Sequence, residues 1–279
     1  MRIIRTIREM QEASRAARNM GSVGLVPTMG ALHEGHLLLV KWARGKNDFV
    51  VATIFVNPLQ FGANEDLEKY PRTFEADCAQ LEQEGVDYLF APSVEEMYGR
   101  GAVTLVDPGE IATRLDGASR PGHFVGVATV VAKLFHIAMP DRAYFGQKDA
   151  AQMAVLRQMV RDLNFPLEMV ACPVVRDADG LALSSRNRYL GDEERGRALT
   201  LPRTLAAIRR CIEEGVRDSA ELLKAGLRVV ESSAGVELEY LAIVDAETLL
   251  PVSEAVEGTL VAIAAKVGTT RLIDTFLVP

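Results

Sequence analysis

Three cysteines, Cys78, Cys172 and Cys211, are all this chain has, too few and too far apart to frame a disulfide scaffold. No Cys-x-x-Cys and no Cys/His cluster occurs, so no zinc site is indicated. Positive charge is scarce as well. The 31 Lys and Arg against 38 Asp and Glu leave a net charge of −7, which argues against a nucleic-acid partner, since such proteins need a basic surface to displace counterions. No apolar run approaches the roughly 18 residues of a membrane span, and the first residues lack the apolar core of a signal peptide. Neither a membrane partner nor export is expected; a cytoplasmic location fits the free thiols. Motifs are missing too: there is no Gly-x-x-x-x-Gly-Lys-Ser/Thr phosphate loop and no dinucleotide fingerprint. The His-Glu-x-x-His of a zincin also fails, because Leu37 stands where its second histidine belongs.

What the chain does have is 279 residues, 48% of them hydrophobic and 25% charged, enough for one or two ordinary globular cores. Its most informative stretch runs from Val23 to His36. Val23–Val26 reads as a short buried strand, Pro27–Gly35 as a turn-rich connector, and His36-Leu37-Leu38-Leu39-Val40 as the opening of a helix. In open α/β sheets ligands sit beyond the carboxyl ends of strands, where a helix N-terminus offers unpaired N–H groups and partial positive charge. His33 and His36 are three apart, so a helix starting near Gly35 puts both imidazoles on one side of its first turn. Gly30 and Gly35 allow positive φ and a close approach of nucleotide to backbone. Taken alone, the four residues also read as a capped strand-turn-helix with two surface histidines.

Further along, Thr6-x-x-Glu9 has the spacing of a capping box, opening an amphipathic helix that runs to Gly21. Phe49–Phe55 reads as a second strand, followed by Asn57 and Gln60, whose amides suit a substrate bearing hydroxyl and carboxylate groups or, equally, plain solvent. A helix from Pro71-Arg72-Thr73 is stopped by Gly85 and leads to a strand at Val86–Ala91; Asp77 and Gln80 share one of its faces, as magnesium ligands or simply as an exposed acidic face. His123 lies in a turn, either touching substrate or solvated, before a buried helix at Phe124–Met139. Tyr144–Asp149 repeats the strand-glycine-helix pattern, with Lys148 placed to neutralise phosphate and Gln152 one turn into the helix at Ala150–Asp162. After a strand at Leu167–Cys172 and a turn at Asp177–Gly180, Leu183-Ser184-Ser185-Arg186 offers a compact phosphate grip, or a helix cap. Helices at Asp192–Glu214 and Ser219–Ser233 precede strands near Glu237–Val244, Thr259–Val267 and Arg271–Leu277. The expected fold class is therefore α/β: a Rossmann-like, doubly wound parallel sheet over residues 1–175 with a smaller α+β domain over 176–279.

The string Pro-Thr-Met-Gly-Ala-Leu-His-Glu-Gly-His places the chain beside the His-x-Gly-His nucleotidyltransferases, and it resembles one family among them, the pantoate–β-alanine ligases. Phe55–Gln60, Phe145–Gln152, Val175-Arg176, Leu183–Asn187 and Gly268–Asp274 extend the resemblance over almost the whole chain; Gln147, Ala150 and Ala151 depart from it. The resemblance implies a ligase that condenses pantoate with β-alanine through a pantoyl-adenylate, releasing AMP and pyrophosphate. ATP is its co-substrate, with Mg2+, in a homodimer whose C-terminal domain forms a lid. It implies that His33, His36 and Lys148 are catalytic, and that Met29, Gly30, Gly146, Gln147, Asp149, Val175, Leu183, Ser184, Ser185 and Arg186 join them around ATP. Gln60, Gln152 and Asn57 would hold substrate, and Asp77 and Gln80 a metal. Two other readings stay open on the residues alone. A transferase moving AMP onto a phosphate predicts a basic acceptor pocket, and a silent nucleotide-binding module predicts no release of pyrophosphate.

Overall fold

The computed structural model describes residues 1–62 and 67–279. The chain divides into two compact units: one comprises Met1–Ala112, Arg120–Gly146 and Val155–Cys172, the other Thr113–Ser119, Gln147–Ala154 and Pro173–Pro279. The main boundary thus falls at 172/173 rather than 175/176, and two excursions from the earlier chain belong with the C-terminal unit.

In chain order the elements of the first stretch are β1 (Arg2–Ile4), α1 (Ile7–Arg18), β2 (Val23–Val26), α2 (Glu34–Lys46), β3 (Phe49–Thr53), α3 (Phe74–Gln83), β4 (Tyr88–Phe90), α4 (Val94–Tyr98), α5 (Asp116–Ser119), α6 (His123–Ala138), β5 (Arg142–Gly146), α7 (Ala150–Asp162) and β6 (Glu168–Cys172). The six strands form one parallel sheet in the order β1-β4-β3-β2-β5-β6. From β2 the chain steps outward through β3 to β4, then returns to place β5 on the other side of β2 and β6 beyond it. Because parallel crossovers are right-handed, this reversal puts α2 and α3 on one face and α6 on the other. The reversal falls between β2 and β5, and in such sheets ligands usually lie beyond the carboxyl ends of the strands at that point. All four residues of β2 are buried, as expected for a central strand covered on both faces.

Local signals account for most of these boundaries. The Thr6 hydroxyl accepts from the Glu9 amide and donates to the Glu9 carboxylate, so Thr6 caps the helix, with the Glu9 side chain held by the hydroxyl rather than by the Thr6 amide of a full capping box. β1 has no counterpart in the sequence reading: three residues at a sheet edge are too few to show a period.

The second unit carries α8 (Asp192–Ala198), α9 (Thr200–Glu213), α10 (Ser219–Glu231) and an antiparallel sheet β7 (Val236–Val244), β8 (Leu260–Val267), β9 (Thr270–Leu277). A single helix over Asp192–Glu214 was expected, and two are found. Pro202 has no N–H for the Ala198 carbonyl and its ring crowds that carbonyl, so the helix breaks at Leu199 and restarts with proline in its first turn. Leu201, Leu205, Ile208 and Ile212 of α9 pack with Leu222 of α10 and Val261, Ile263 and Ala265 of β8 in one apolar core. The two excursions are held by charge and hydrogen bonds. Arg271 on β9 bonds Asp116 at 2.6 Å and Glu239 at 2.7 Å, and Tyr240 donates to the same Asp116. The Thr275 hydroxyl donates to the carbonyl of Gln147 at 3.2 Å. Next to it, the buried Asp274 takes a two-pronged pair from Arg176 at 2.6 and 2.8 Å. Asp274→Ala would strand the Arg176 guanidinium, itself about one-third exposed. It should lower unfolding free energy by roughly 2–4 kcal/mol, a value below the full cost of breaking a buried pair, as read by chemical denaturation.

Candidate active site

Beyond Val26 the chain makes a tight loop that ends at the first turn of α2. Gly30 and Ala31 both have positive φ, 80° and 51°, a conformation that turns successive amides toward one point. That point is occupied by a side chain. Asp77, 2% exposed on α3, accepts from the Ala31 amide through Oδ2 and from the Leu32 amide through Oδ1, both at 2.9 Å, and the Thr73 hydroxyl donates to Oδ1 at 3.1 Å. The Thr28 hydroxyl donates to the Thr53 carbonyl and accepts from the Gly30 amide, tying the loop to the end of β3.

This corrects two expectations. The Asp77 face of α3 is not exposed, and both of its carboxylate oxygens are engaged by main-chain amides; no group of three His, Cys, Asp or Glu able to hold a metal occurs among the described residues. Both Asp77 oxygens, expected to face a metal, accept from main-chain amides instead. Nor does the start of α2 offer a row of open amides. Gly35 N–H donates to His33 Nδ1 at 3.1 Å, and the His36 and Leu37 amides go to the His33 carbonyl. The first turn of α2 also carries side chains to this end of the sheet.

Those side chains are the two imidazoles. His33 is the N-cap of α2, and because its Nδ1 accepts from Gly35 the ring's proton sits on Nε2. His36, one turn on, stacks against it with ring centroids 4.1 Å apart and planes tilted by 31°. The three-residue spacing thus did what it suggested. A cleft of about 280 Å³ opens beside the loop at the carboxyl ends of β2 and β3, lined by Met29, Gly30, Ile54, Phe55, Arg72 and Asp77.

Gln60 is aimed with equal care. Its Nε2 donates to the Met29 sulfur at 3.1 Å, and its Oε1 accepts from Asn57 Nδ2 at 3.0 Å. Its carbonyl accepts from His123 Nδ1 at 2.8 Å and from Arg120. Arg120 also approaches His123 Nε2 at 3.0 Å, so that ring is neutral with its proton on Nδ1. His123, half-buried, thus anchors the Gln60 main chain. Asn57, expected to bind substrate, is 1% exposed and saturated. Its amide donates to Gln60 and to the Gly126 carbonyl, while its oxygen accepts from the Leu59 amide and from the Tyr98 hydroxyl. With two donors and two lone pairs all used, it has nothing left for a ligand. Burial pushes the Tyr98 phenol well above its usual value, so it remains a donor. Sequence reasoning missed Tyr98 and the roles of Arg120, His123 and Asp77 because the partners that set those roles, Asn57, Gln60, Ala31 and Leu32, lie at least 41 residues away along the chain.

In the C-terminal unit, Val175 and the serine segment are brought together by a hairpin. The Leu183 amide donates to the Val175 carbonyl at 2.9 Å, Arg176 pairs with Ala182, and Gly180 takes φ 93° in the turn. Ser184 caps the short turn Ser185–Tyr189, its hydroxyl accepting from the Arg186 amide at 3.3 Å; Ser185 is buried. Gln147, Lys148 and Asp149 form a single 3-10 turn before α7. Lys148 Nζ lies 3.7 Å from the Asp149 carboxylate, with 18% of its side chain exposed. Gln152 is half-buried two residues into α7, and Gly146 closes β5.

Residues 2–277 match the model of the pantoate-beta-alanine ligase family. The chain belongs to that family. A pantothenate synthetase of Acidobacterium capsulatum is 59% identical over 99% of this chain and 97% of its own length. One from Koribacter versatilis is 58% identical over 98% and 94%. Among solved structures, pantothenate synthetase from Thermus thermophilus is similar with a TM-score of 0.93, 51% identity and 99% of both chains covered. The Francisella tularensis pantoate-beta-alanine ligase, complexed with beta-gamma ATP and beta-alanine, has a TM-score of 0.81 at 34% identity over 99% and 97%. This chain is thus an ATP-dependent ligase that condenses pantoate with β-alanine, which removes transfer onto a phosphate and silent nucleotide binding from consideration.

The aim of Gln60 depends on one close approach. A Cβ on Gly126 of α6 would lie 2.2 Å from the Leu59 carbonyl oxygen and 2.6 Å from the Gln60 nitrogen. Gly126→Ala should therefore cost about 1–3 kcal/mol in stability and sharply reduce activity, with thermal melting and product formation as the two measurements.

Proposed function

We propose that the reaction runs in two halves, with the residues of each unit in the following roles. The pantoate carboxylate attacks the α-phosphorus of ATP in line; a P–O bond forms as the bond to pyrophosphate breaks. The resulting mixed anhydride replaces a hopeless leaving oxygen by a stabilised phosphate. The β-alanine amine then attacks the acyl carbon, AMP departs, and the amine's proton is lost as the amide forms. Little of this needs covalent help, so positioning and charge stabilisation carry the rate.

The observation that carries this reading is the stacked His33–His36 pair placed by α2 beyond the carboxyl end of β2. Two imidazole donors at such a place suit the negative charge that grows on phosphate oxygens during in-line transfer. Lys148, Ser184, Ser185 and Arg186 are assigned to the triphosphate, because an ammonium, two hydroxyls and a guanidinium are strong donors to phosphate. Met29, Gly30, Gly146, Gln147, Asp149, Val175 and Leu183 shape the nucleotide site. Gln60 and Gln152 orient pantoate, Gln60 also receiving β-alanine. Asn57 acts through Gln60 and has no direct contact with substrate. Magnesium belongs to this reading only as the companion of ATP, held by phosphate oxygens and water, and no step passes through it. A cytoplasmic homodimer completes the proposal; sedimentation equilibrium checks the dimer.

Pyrophosphate release from ATP with pantoate alone, then AMP and pantothenate formation when β-alanine is added, tests the sequence of events. His36→Ala should slow the first step by about 10²-fold or more, the scale of losing one transition-state donor. A folded variant that forms adenylate at the original rate would remove His36 from the mechanism.

A further inference from the structure

The loop that carries the histidines contains an anion-binding geometry that is already filled. With Gly30 and Ala31 at φ 80° and 51°, the amides of Ala31 and Leu32 converge as they do around a bound phosphate. Their acceptor is instead the carboxylate of Asp77, 45 and 46 residues away along the chain, at 2.9 Å from each. The carboxylate is 2% exposed, and the Thr73 hydroxyl orients it from the N-cap of α3. A Cβ added at Gly30 would come within 3.0 Å of the same oxygen. One residue further on, His33 caps α2 and stacks on His36.

Resting on the functional reading above, we propose that Asp77 is the positioning residue of the histidine pair. It acts as a built-in anion that occupies the amides of residues 31 and 32, fixes where α2 begins, and leaves this loop's phosphate contacts to the imidazoles. Two consequences distinguish this role from metal ligation and from simple packing. An anion small enough to enter the emptied space should replace the missing carboxylate, and the magnesium dependence of the reaction should not change. A misplaced donor pair should lower the rate of the chemical step more than it weakens ATP binding, since displacing a catalytic group by about 1 Å costs on the order of 10²-fold.

The test uses full-length protein and pyrophosphate release from ATP and pantoate. Asp77→Ala should lower kcat by about 10- to 100-fold with little change in KM for ATP. Sodium formate should restore part of that rate in the variant and none in the wild type. The magnesium concentration for half-maximal rate should stay where it is. A folded Asp77→Ala with wild-type kcat overturns the proposal, as does a lost rate that formate leaves untouched or a shifted magnesium requirement. Should Asp77→Ala not fold, Asp77→Asn and the half-exposed Thr73→Val take its place: a fall in kcat at constant KM supports the role, and wild-type kinetics in both overturn it. Wild-type protein that releases no pyrophosphate would sink the functional reading itself, whereas active variants beside an active wild type sink only this inference.

Discussion

A carboxylate buried beneath two main-chain amides holds the loop before α2 in its shape. Residues 30 and 31 sit at positive φ, which an alanine adopts only at a cost of about 1 kcal/mol or more, and the amides that follow point inward, away from water. Unpaired, each would cost about 1–3 kcal/mol; Asp77 satisfies both, at one stroke fixing the loop and turning its donors away from any ligand. In the proposed mechanism the imidazole pair faces the phosphate, so the chemistry of this edge of the sheet belongs to side chains. That arrangement differs from the glycine-rich phosphate loops, where the backbone itself grips the phosphate.

The same economy recurs around Gln60. Asn57 spends its full bonding capacity on Gln60, Gly126, Leu59 and Tyr98, while Arg120 and His123 hold the Gln60 carbonyl. Groups that looked like substrate ligands prove to be a frame that fixes one amide. In the C-terminal unit β9 does the corresponding work. Asp274 grips Arg176 beside Val175, and Thr275 grips the carbonyl of Gln147 beside Lys148. Two segments far apart in the chain, both assigned to the nucleotide, thereby hang from adjacent residues of one strand.

Much of the scaffold was legible in the chain because its cues are local. The apolar run Val23–Val26, the turn after it and the helix expected near Gly35, which begins at Glu34, follow from residue order, as do the Thr6 N-cap and the three C-terminal strands. Where cues were local but misweighed, the error was local too: Pro202 broke a helix that hydrophobic spacing alone would have continued. The two excursions at 113–119 and 147–154 escaped notice because what binds them, Arg271 and Thr275, lies more than a hundred residues on.

By itself, then, the order of residues determined the parallel α/β scaffold, the helix start that aligns His33 with His36, and the families of chemistry to be considered, since period, caps and turn residues act over a few positions. Tertiary structure alone decided which polar groups are free to act. Asp77 and Asn57 could not be told from ligands by type or spacing, because a side chain's remaining hydrogen-bonding capacity depends on partners that only folding brings within about 3 Å.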